Sequence, residues 1–296
     1  MDTILETDKL SKRFGDFEAV SGLNLRVRKG SICAFLGQNG AGKTTTQRML
    51  LGMMRPSQGS GHILGLRIDD EAESVRIRER VAFVAEDKRL YNYMTVRQIL
   101  RFTKSFFPRW RTDRESDLLR RLDLPLGCKI RKLSKGMRTK LALFLAFARG
   151  SEFFILDEPT EGLDPVATEM VLQIVVSLAS VGATVFFSSH QIAEVEQIAD
   201  HILMIHKGKL VLDSPLDRIK DEYRQVQAVI HCPVQNCDFE LDGVERVYVD
   251  GSTVSMIVSH NVDAVMDRAY KMNAVSVEVA PLTLKEIFLE TVKASR

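Results

Sequence analysis

The chain lacks the features that mark several large protein classes. Cysteine is scarce, four in 296 residues. Cys33, Cys128, Cys232 and Cys237 do not make a disulfide framework for a chain of this length. His231, Cys232 and Cys237 lie close together, but two cysteines and one histidine without a second pair fall short of a zinc pattern. No apolar run approaches the roughly 18–20 residues that a bilayer demands. The longest, 141–148 and 181–187, read as core segments. The start, MDTILETDKL, has early acids and no apolar run behind a basic opening, which excludes a secretory signal and makes the cytosol the expected compartment. Net charge is only +2, so no field of one sign argues for nucleic acid or an acidic membrane surface. Internal repeats and low-complexity stretches are missing as well.

What is there is ordinary globular material. The 45% hydrophobic and 27% charged composition suffices for one large domain and a small one. Up to Ala19 the chain reads as strand and turn, with Gly15-Asp16 as the turn pair. The alternation from Leu23 to Val27 predicts a half-buried strand. Ser31–Leu36, Val81–Ala85, Phe153–Leu156 and Thr184–Phe187 are short apolar strands, most of them followed by helical patterns. Strands alternating with helices imply an α/β fold, a parallel-rich sheet with helices on both faces. Residues 88–135 read as an inserted helical subdomain, with Thr95 and Gln98 as a capping box. Its run from Arg97 to Arg111, with Phe102, Phe106, Phe107 and Trp110, is basic and aromatic; it reads as a helix packing its aromatics inward rather than as a nucleic-acid platform. Composition shifts after Lys220, predicting a large domain over 1–220 and a small α+β domain over 221–296. In the latter, Asp250-Gly251 is a hairpin turn, 262–271 a helix, and Thr283 with Glu286 a capping box for the last helix.

Two constellations carry chemistry. Gly37-Gln38-Asn39-Gly40-Ala41-Gly42-Lys43-Thr44 has the spacing G-x-x-x-x-G-K-T between a strand and a helix. Glycines let successive backbone N–H groups converge on phosphate oxygens, and the helix adds its positive end. Lys43 reaches the terminal phosphates and the Thr44 hydroxyl is an Mg²⁺ ligand. The run 153–158 is an apolar strand that ends on Asp157 and Glu158, at the sheet edge where α/β proteins bind ligands. Asp157 would hold the metal and Glu158 would position a water.

With these residues in place the chain resembles the ATP-binding subunits of ABC transporters over about residues 3–220. Leu133-Ser134-Lys135-Gly136-Met137 is similar to the family's signature sequence, Gly162-Leu163-Asp164-Pro165 to its D-loop, and Ser188-Ser189-His190 to its switch-histidine segment. Phe14 stands where the family stacks an aromatic on adenine, and the tail 282–288 resembles the C-terminal extension of some bacterial exporter ATPases. The resemblance implies a P-loop ATPase of ABC type that takes ATP and Mg²⁺. Its binding residues would be Phe14, Gly37, Asn39, Gly40, Gly42, Lys43, Thr44, Thr45, Glu86, Ser134, Gly136 and Asp164. The metal would lie by Thr44, Asp157 and Glu86, and Glu158, His190 and Lys43 would be catalytic. Two positions depart from the family. Lys135 and Met137 replace a glycine and a glutamine of the signature, and Glu86 stands where the family has the Q-loop glutamine.

In the family the chain resembles, a complete site takes the phosphate loop from one subunit and the signature from another, so a chain with one of each is expected to pair with a second ATPase subunit, a copy or a paralogue. The resemblance further implies a transmembrane permease as partner, met through the surface after Glu86 that includes Leu90, Tyr91 and Tyr93. The chain would then be peripheral on the inner face of the membrane and drive an exporter. An ATPase serving a non-transport membrane complex, or a soluble ABC ATPase, is the alternative. No nucleic-acid partner is expected.

Overall fold

The computed structural model describes residues 2–230 and 236–294, which divide into two compact units, Met1–Asp213 and Ser214–Arg296. The first unit runs β1 (Thr3–Phe14), β2 (Phe17–Leu23), β3 (Arg26–Arg28), β4 (Ile32–Leu36), α1 (Lys43–Leu50), β5 (Gln58–Ile63), β6 (Leu66–Arg67), α2 (Glu71–Arg80), β7 (Val81–Val84), α3 (Val96–Lys104), α4 (Thr112–Leu122), α5 (Lys135–Phe147), β8 (Phe153–Asp157), α6 (Pro165–Ala179), β9 (Thr184–Ser189), α7 (Ile192–Ile198), β10 (His201–His206) and β11 (Lys209–Pro215). The second runs α8 (Leu216–Glu222), β12 (Arg224–Val229), β13 (Val244–Asp250), β14 (Thr253–Val258), α9 (Val262–Lys271), β15 (Ser276–Pro281) and α10 (Leu284–Ala294).

Six strands make the central sheet in the order β11-β10-β4-β9-β8-β7. The pairings β10–β4, β4–β9, β9–β8 and β8–β7 are all parallel. β4, β8 and β9 are buried at every residue, as apolar strands covered on both faces must be. Phe35, Phe153, Phe186 and Ile205 knit them into one core with Leu10, Val20 and Leu50. In this order β9 lies between the phosphate-loop strand β4 and the acidic strand β8, so all three C-terminal ends meet along one edge.

A second sheet has the order β2-β1-β5-β6 with β3 beside β1; its β1–β2 hairpin turns at Gly15-Asp16 as the sequence suggests, whereas β5 and β6 carry no sequence signal. Its pairings are antiparallel. β5 reads Gln-Gly-Ser-Gly-His-Ile and offers no apolar alternation. Pairing with β1 makes it a strand, and a side chain at Gly59 would collide with the Lys9 carbonyl. The single strand expected over 23–27 is split between β2 and β3, because β2 pairs with one end of β1 and β3 with the other.

The helical insertion begins as the sequence suggests. Thr95 accepts from the Gln98 backbone N–H at 3.2 Å and Gln98 reaches back to the Thr95 N–H at 2.8 Å. The inward-packing reading of the aromatics holds for Trp110, which is buried, and fails for Phe102 and Phe106, which are exposed. α3 buries Val96, Ile99 and Leu100, and that face leaves Phe102 and the following Phe106 outside. They continue a row with Tyr91 and Tyr93, ring centroids 5.0–5.9 Å apart.

In the second unit an antiparallel sheet of order β13-β14-β12-β15 packs Val226, Ala228, Val254 and Met256 against Val265 and Ala269 of α9. The boundary expected at 220/221 falls inside α8. The chain leaves the central sheet at Ser214-Pro215, before its composition changes.

Candidate functional site

β4 ends at Leu36 and the chain turns sharply. A Cβ at Gly37 would lie 2.6 Å from the Ile205 carbonyl, and one at Gly42 2.7 Å from that of Ala19. Gly42 also has φ 108°, a backbone that side chains rarely adopt. The loop therefore needs glycine at both points, and α1 starts at once with Lys43. The loop and the tip of the β1–β2 hairpin enclose a cleft of about 440 Å³, lined by Phe14, Phe17, Gln38, Asn39, Gly40, Gly42, Lys43, Thr44, Thr45, Glu86 and Glu158 together with Ala19. Phe14 and Phe17 face each other across the turn and are 47% and 65% exposed. The Lys12 ammonium lies over the Phe14 ring, 5.4 Å from its centroid.

The Lys43 ammonium is buried. It donates to the Gly37 and Gln38 carbonyls at 2.6 and 3.2 Å and makes an ion pair with Glu158 Oε1 at 3.2 Å. Both side chains are under 8% exposed, so each supplies the other's counter-charge, which burial makes obligatory. The other Glu158 oxygen lies 2.8 Å from His190 Nδ1. Glu158 also has φ 47°, a left-handed backbone that costs a non-glycine residue about 1–3 kcal/mol. Several bonds hold it there. Its N–H donates to Ser188 Oγ at 3.0 Å, and its carbonyl accepts from Lys88 Nζ at 3.3 Å.

Asp157 is fully buried. One oxygen accepts from Ser188 Oγ at 2.6 Å and the other from Thr44 Oγ1 at 2.8 Å. Ser188 thus bridges two neighbouring strands and aims both acids. The half-buried Lys88 is shifted below the usual lysine range by burial, which the acids Glu161, Asp157 and Glu86 partly offset and Lys135 reinforces.

Ser134, Gly136 and Asp164 do not line the cleft. Ser134 and Asp164 cap helices, accepting from the N–H groups of Met137 at 3.2 Å and Ala167 at 2.9 Å. Gly136 packs where a Cβ would meet the Gly162 carbonyl at 2.8 Å, so the signature and D-loop segments lie together. Lys135 is held to Glu161 at 2.6 Å. Its charge is therefore already balanced, which narrows the effect expected of that departure. Phe17, Gln38, Ser188 and Lys88 belong to the site without having been singled out. Ser188 lies within a quoted motif, whereas Lys88 and Phe17 carry no pattern.

His231 and Cys232 lie outside the described residues. Among those described, no group of three or more His, Cys, Asp or Glu is placed to hold a metal.

Comparison with known proteins decides the family. The ABC transporter family matches residues 20–161. The bacitracin transport ATP-binding protein BcrA of Bacillus licheniformis is 34% identical over 264 residues, 84% of this chain and 86% of that protein. The chain belongs to the ATP-binding subunits of ABC transporters. The daunorubicin resistance ATP-binding protein DrrA3 of Streptomyces coeruleorubidus is similar too, 35% identical over 75% of this chain and 71% of its own. A solved ATP-binding subunit of an ABC transporter superposes with a TM-score of 0.68 at 30% identity, covering 74% of this chain and 92% of that one. The ADP- and phosphate-bound cassette MJ0796 has the same fold, with a TM-score of 0.65 at 21% identity over 72% of this chain and 98% of its own. As an ABC subunit the chain binds and hydrolyses ATP to drive transport. No helix among the described residues is long and apolar enough to cross a membrane.

Proposed function

We propose that the cleft binds Mg-ATP, with Glu158 as the residue that positions the attacking water and Lys43 as the ligand of the terminal phosphates. The observation that carries this reading is the buried Lys43–Glu158 ion pair at 3.2 Å, extended at 2.8 Å to the exposed His190, at the mouth of a glycine loop and a helix N-terminus. Phosphates draw on the loop N–H groups, the helix end and Lys43. Glu158 loses its lysine partner as Lys43 turns to phosphate, and His190 remains to hold it. Phe17 and the face of Phe14 away from the Lys12 ammonium offer platforms to the base.

The donor set suits Mg²⁺. The Thr44 hydroxyl donates a hydrogen bond to Asp157 and keeps its lone pairs for a hard cation. Glu86 adds a carboxylate on the cleft wall. Mg²⁺ is ordinarily held by one or two protein groups with substrate phosphate and water completing its shell, which two or three oxygen ligands here would satisfy. Bound there, the ion supplies charge neutralisation for the phosphates.

The cleft contains no signature residue of its own chain. A complete site would therefore take Ser134 and Gly136 from a second subunit, with ATP between two positive helix ends. The exposed row Tyr91, Tyr93, Phe102 and Phe106 fits a membrane-embedded permease as the further partner. That partner would place the chain on the inner face of the membrane, and the likeness to a bacitracin transport subunit and a daunorubicin resistance subunit favours an exporter.

The test is steady-state phosphate release by the purified chain and its Glu158→Gln form. The variant is expected to bind ATP and to lose about 10²–10⁴-fold in kcat. Hydrolysis at the parent rate would remove Glu158 from its role.

A further inference from the structure

Glu194 is only 5% exposed and belongs to no motif quoted above. It sits in the first turn of α7. Its Oε2 accepts from the Thr160 hydroxyl at 2.8 Å and from the Ser189 hydroxyl at 3.1 Å. Thr160 lies two residues after Glu158, on the segment leaving β8. Ser189 is the last residue of β9, directly before His190. One carboxyl therefore ties the two segments whose side chains meet in the 2.8 Å Glu158–His190 contact. Ser189 Oγ also accepts from the Gln191 N–H at 2.9 Å, so the turn that aims His190 is built around the same hydroxyl.

The second oxygen, Oε1, is buried and has no hydrogen-bond partner among the described residues. In an ionised carboxylate that atom would carry half a charge away from both water and donors, a costly arrangement. A proton removes that charge and leaves a neutral hydroxyl, whose unpaired burial costs less than that of a charged oxygen. Burial, with Glu158 adding to it, pushes the Glu194 carboxyl above its ordinary range, against the opposing pull of the Thr160 and Ser189 hydroxyls and of His190. A neutral acid also adds no negative charge beside Glu158, where phosphate arrives.

We propose that Glu194, as a neutral carboxylic acid, is a positioning residue that clasps Thr160 and Ser189 and thereby holds Glu158 and His190 in register for hydrolysis. The proposal rests on the roles given to Glu158 and His190 above. An amide has the shape of a protonated carboxyl and the same ability to accept from both hydroxyls, so Gln substitutes for the acid but not for the carboxylate.

The experiment is ATP hydrolysis by the full chain with Glu194→Gln, Glu194→Ala and the paired change Thr160→Val/Ser189→Ala. Infrared difference spectra of the parent and the Gln form are recorded alongside. Glu194→Gln is expected to keep kcat within about twofold. Glu194→Ala and the paired variant should lose about 10- to 100-fold in kcat, the scale of a small misplacement of reacting groups, while KM for ATP stays within about twofold. The parent should show a protonated-carboxyl band at neutral pH that the Gln form lacks. Loss in the Gln form equal to that in the Ala form, or no such band, overturns the neutral acid. Parent kcat in both other variants, or a KM that rises with the fall in kcat, overturns the positioning role. Should Glu194→Ala not fold, the Gln form and the paired variant decide. A Glu158→Gln chain that still hydrolyses ATP would break the underlying reading instead, and that control is separate from all of these.

Discussion

At the scale of single residues the site is a set of mutually dependent charges. Lys43 and Glu158 are both buried and neutralise each other. Removing either therefore leaves an uncompensated buried charge, and the loss includes that penalty. Glu158→Gln keeps the shape but removes the glutamate charge, which leaves the buried Lys43 ammonium with only its carbonyl partners at Gly37 and Gln38. Lys43 is then drawn less strongly toward residue 158, and ATP affinity is expected to hold or tighten while kcat collapses; equilibrium binding of a fluorescent ATP analogue checks this. Gly37→Ala is expected to cost about 1–3 kcal/mol through overpacking, since its Cβ would lie 2.6 Å from the Ile205 carbonyl. A denaturant melt reads that loss, and nucleotide binding should weaken with it. Most residues of this site were legible in the sequence, because glycine, lysine and threonine at fixed spacing leave few other physical explanations. Lys88 and Glu194 were not. A lone lysine in a loop and a lone glutamate in a helix become informative only when folding places them beside Glu158.

At the scale of elements, caps and edges carry the argument. The reciprocal Thr95–Gln98 capping box opens the helical insertion, and Thr95→Ala is expected to lower stability by about 0.5–2 kcal/mol with kcat unchanged. Differential scanning calorimetry beside an ATPase assay separates the two. Ser188 is the hinge pin of the edge where β8 and β9 end. It donates to Asp157 and accepts from the Glu158 N–H. Ser188→Ala strands a buried carboxylate oxygen and frees a left-handed backbone, so kcat is expected to fall by roughly 10-fold or more, given how steeply positioning errors are penalised. Wild-type turnover in that variant would show that the other bonds to Glu158 suffice. The strands of the parallel sheet were readable because burial on both faces makes them continuous apolar runs. In the antiparallel sheet the β1–β2 hairpin showed through its Gly15-Asp16 turn, but β5 and β6 were hidden for the opposite reason. β5 and β6 draw their strand character from pairing with β1 and with each other, a preference that context creates rather than composition.

At the scale of the whole molecule the separation of cleft and signature has a direct consequence. A chain carrying Lys43→Ala and a chain carrying Ser134→Glu are each expected to be inactive alone, the first for want of a phosphate ligand, the second through like-charge repulsion of phosphate. Mixed, they form a pair with one site built wholly from intact parts. ATPase activity that reappears on mixing supports the two-subunit site, and a mixture no more active than its components counts against it.

The candidate chemical parts of this protein are readable along the chain. Glycine spacing, a strand that ends on two acids, and a serine–glycine pair ahead of it follow from local backbone demands, and local demands are written residue by residue. Tertiary structure alone decided which of these parts meet. The strand order interposes β9 between β4 and β8 and so brings Ser188 and His190 to the two acids. It closes Lys43 onto Glu158 and gathers Thr160 and Ser189 at Glu194. It also keeps Ser134 and Gly136 out of the cleft. Contacts of that kind depend on strand order and burial, which are properties of the packed sheet and have no counterpart in the neighbourhood of any one residue along the chain.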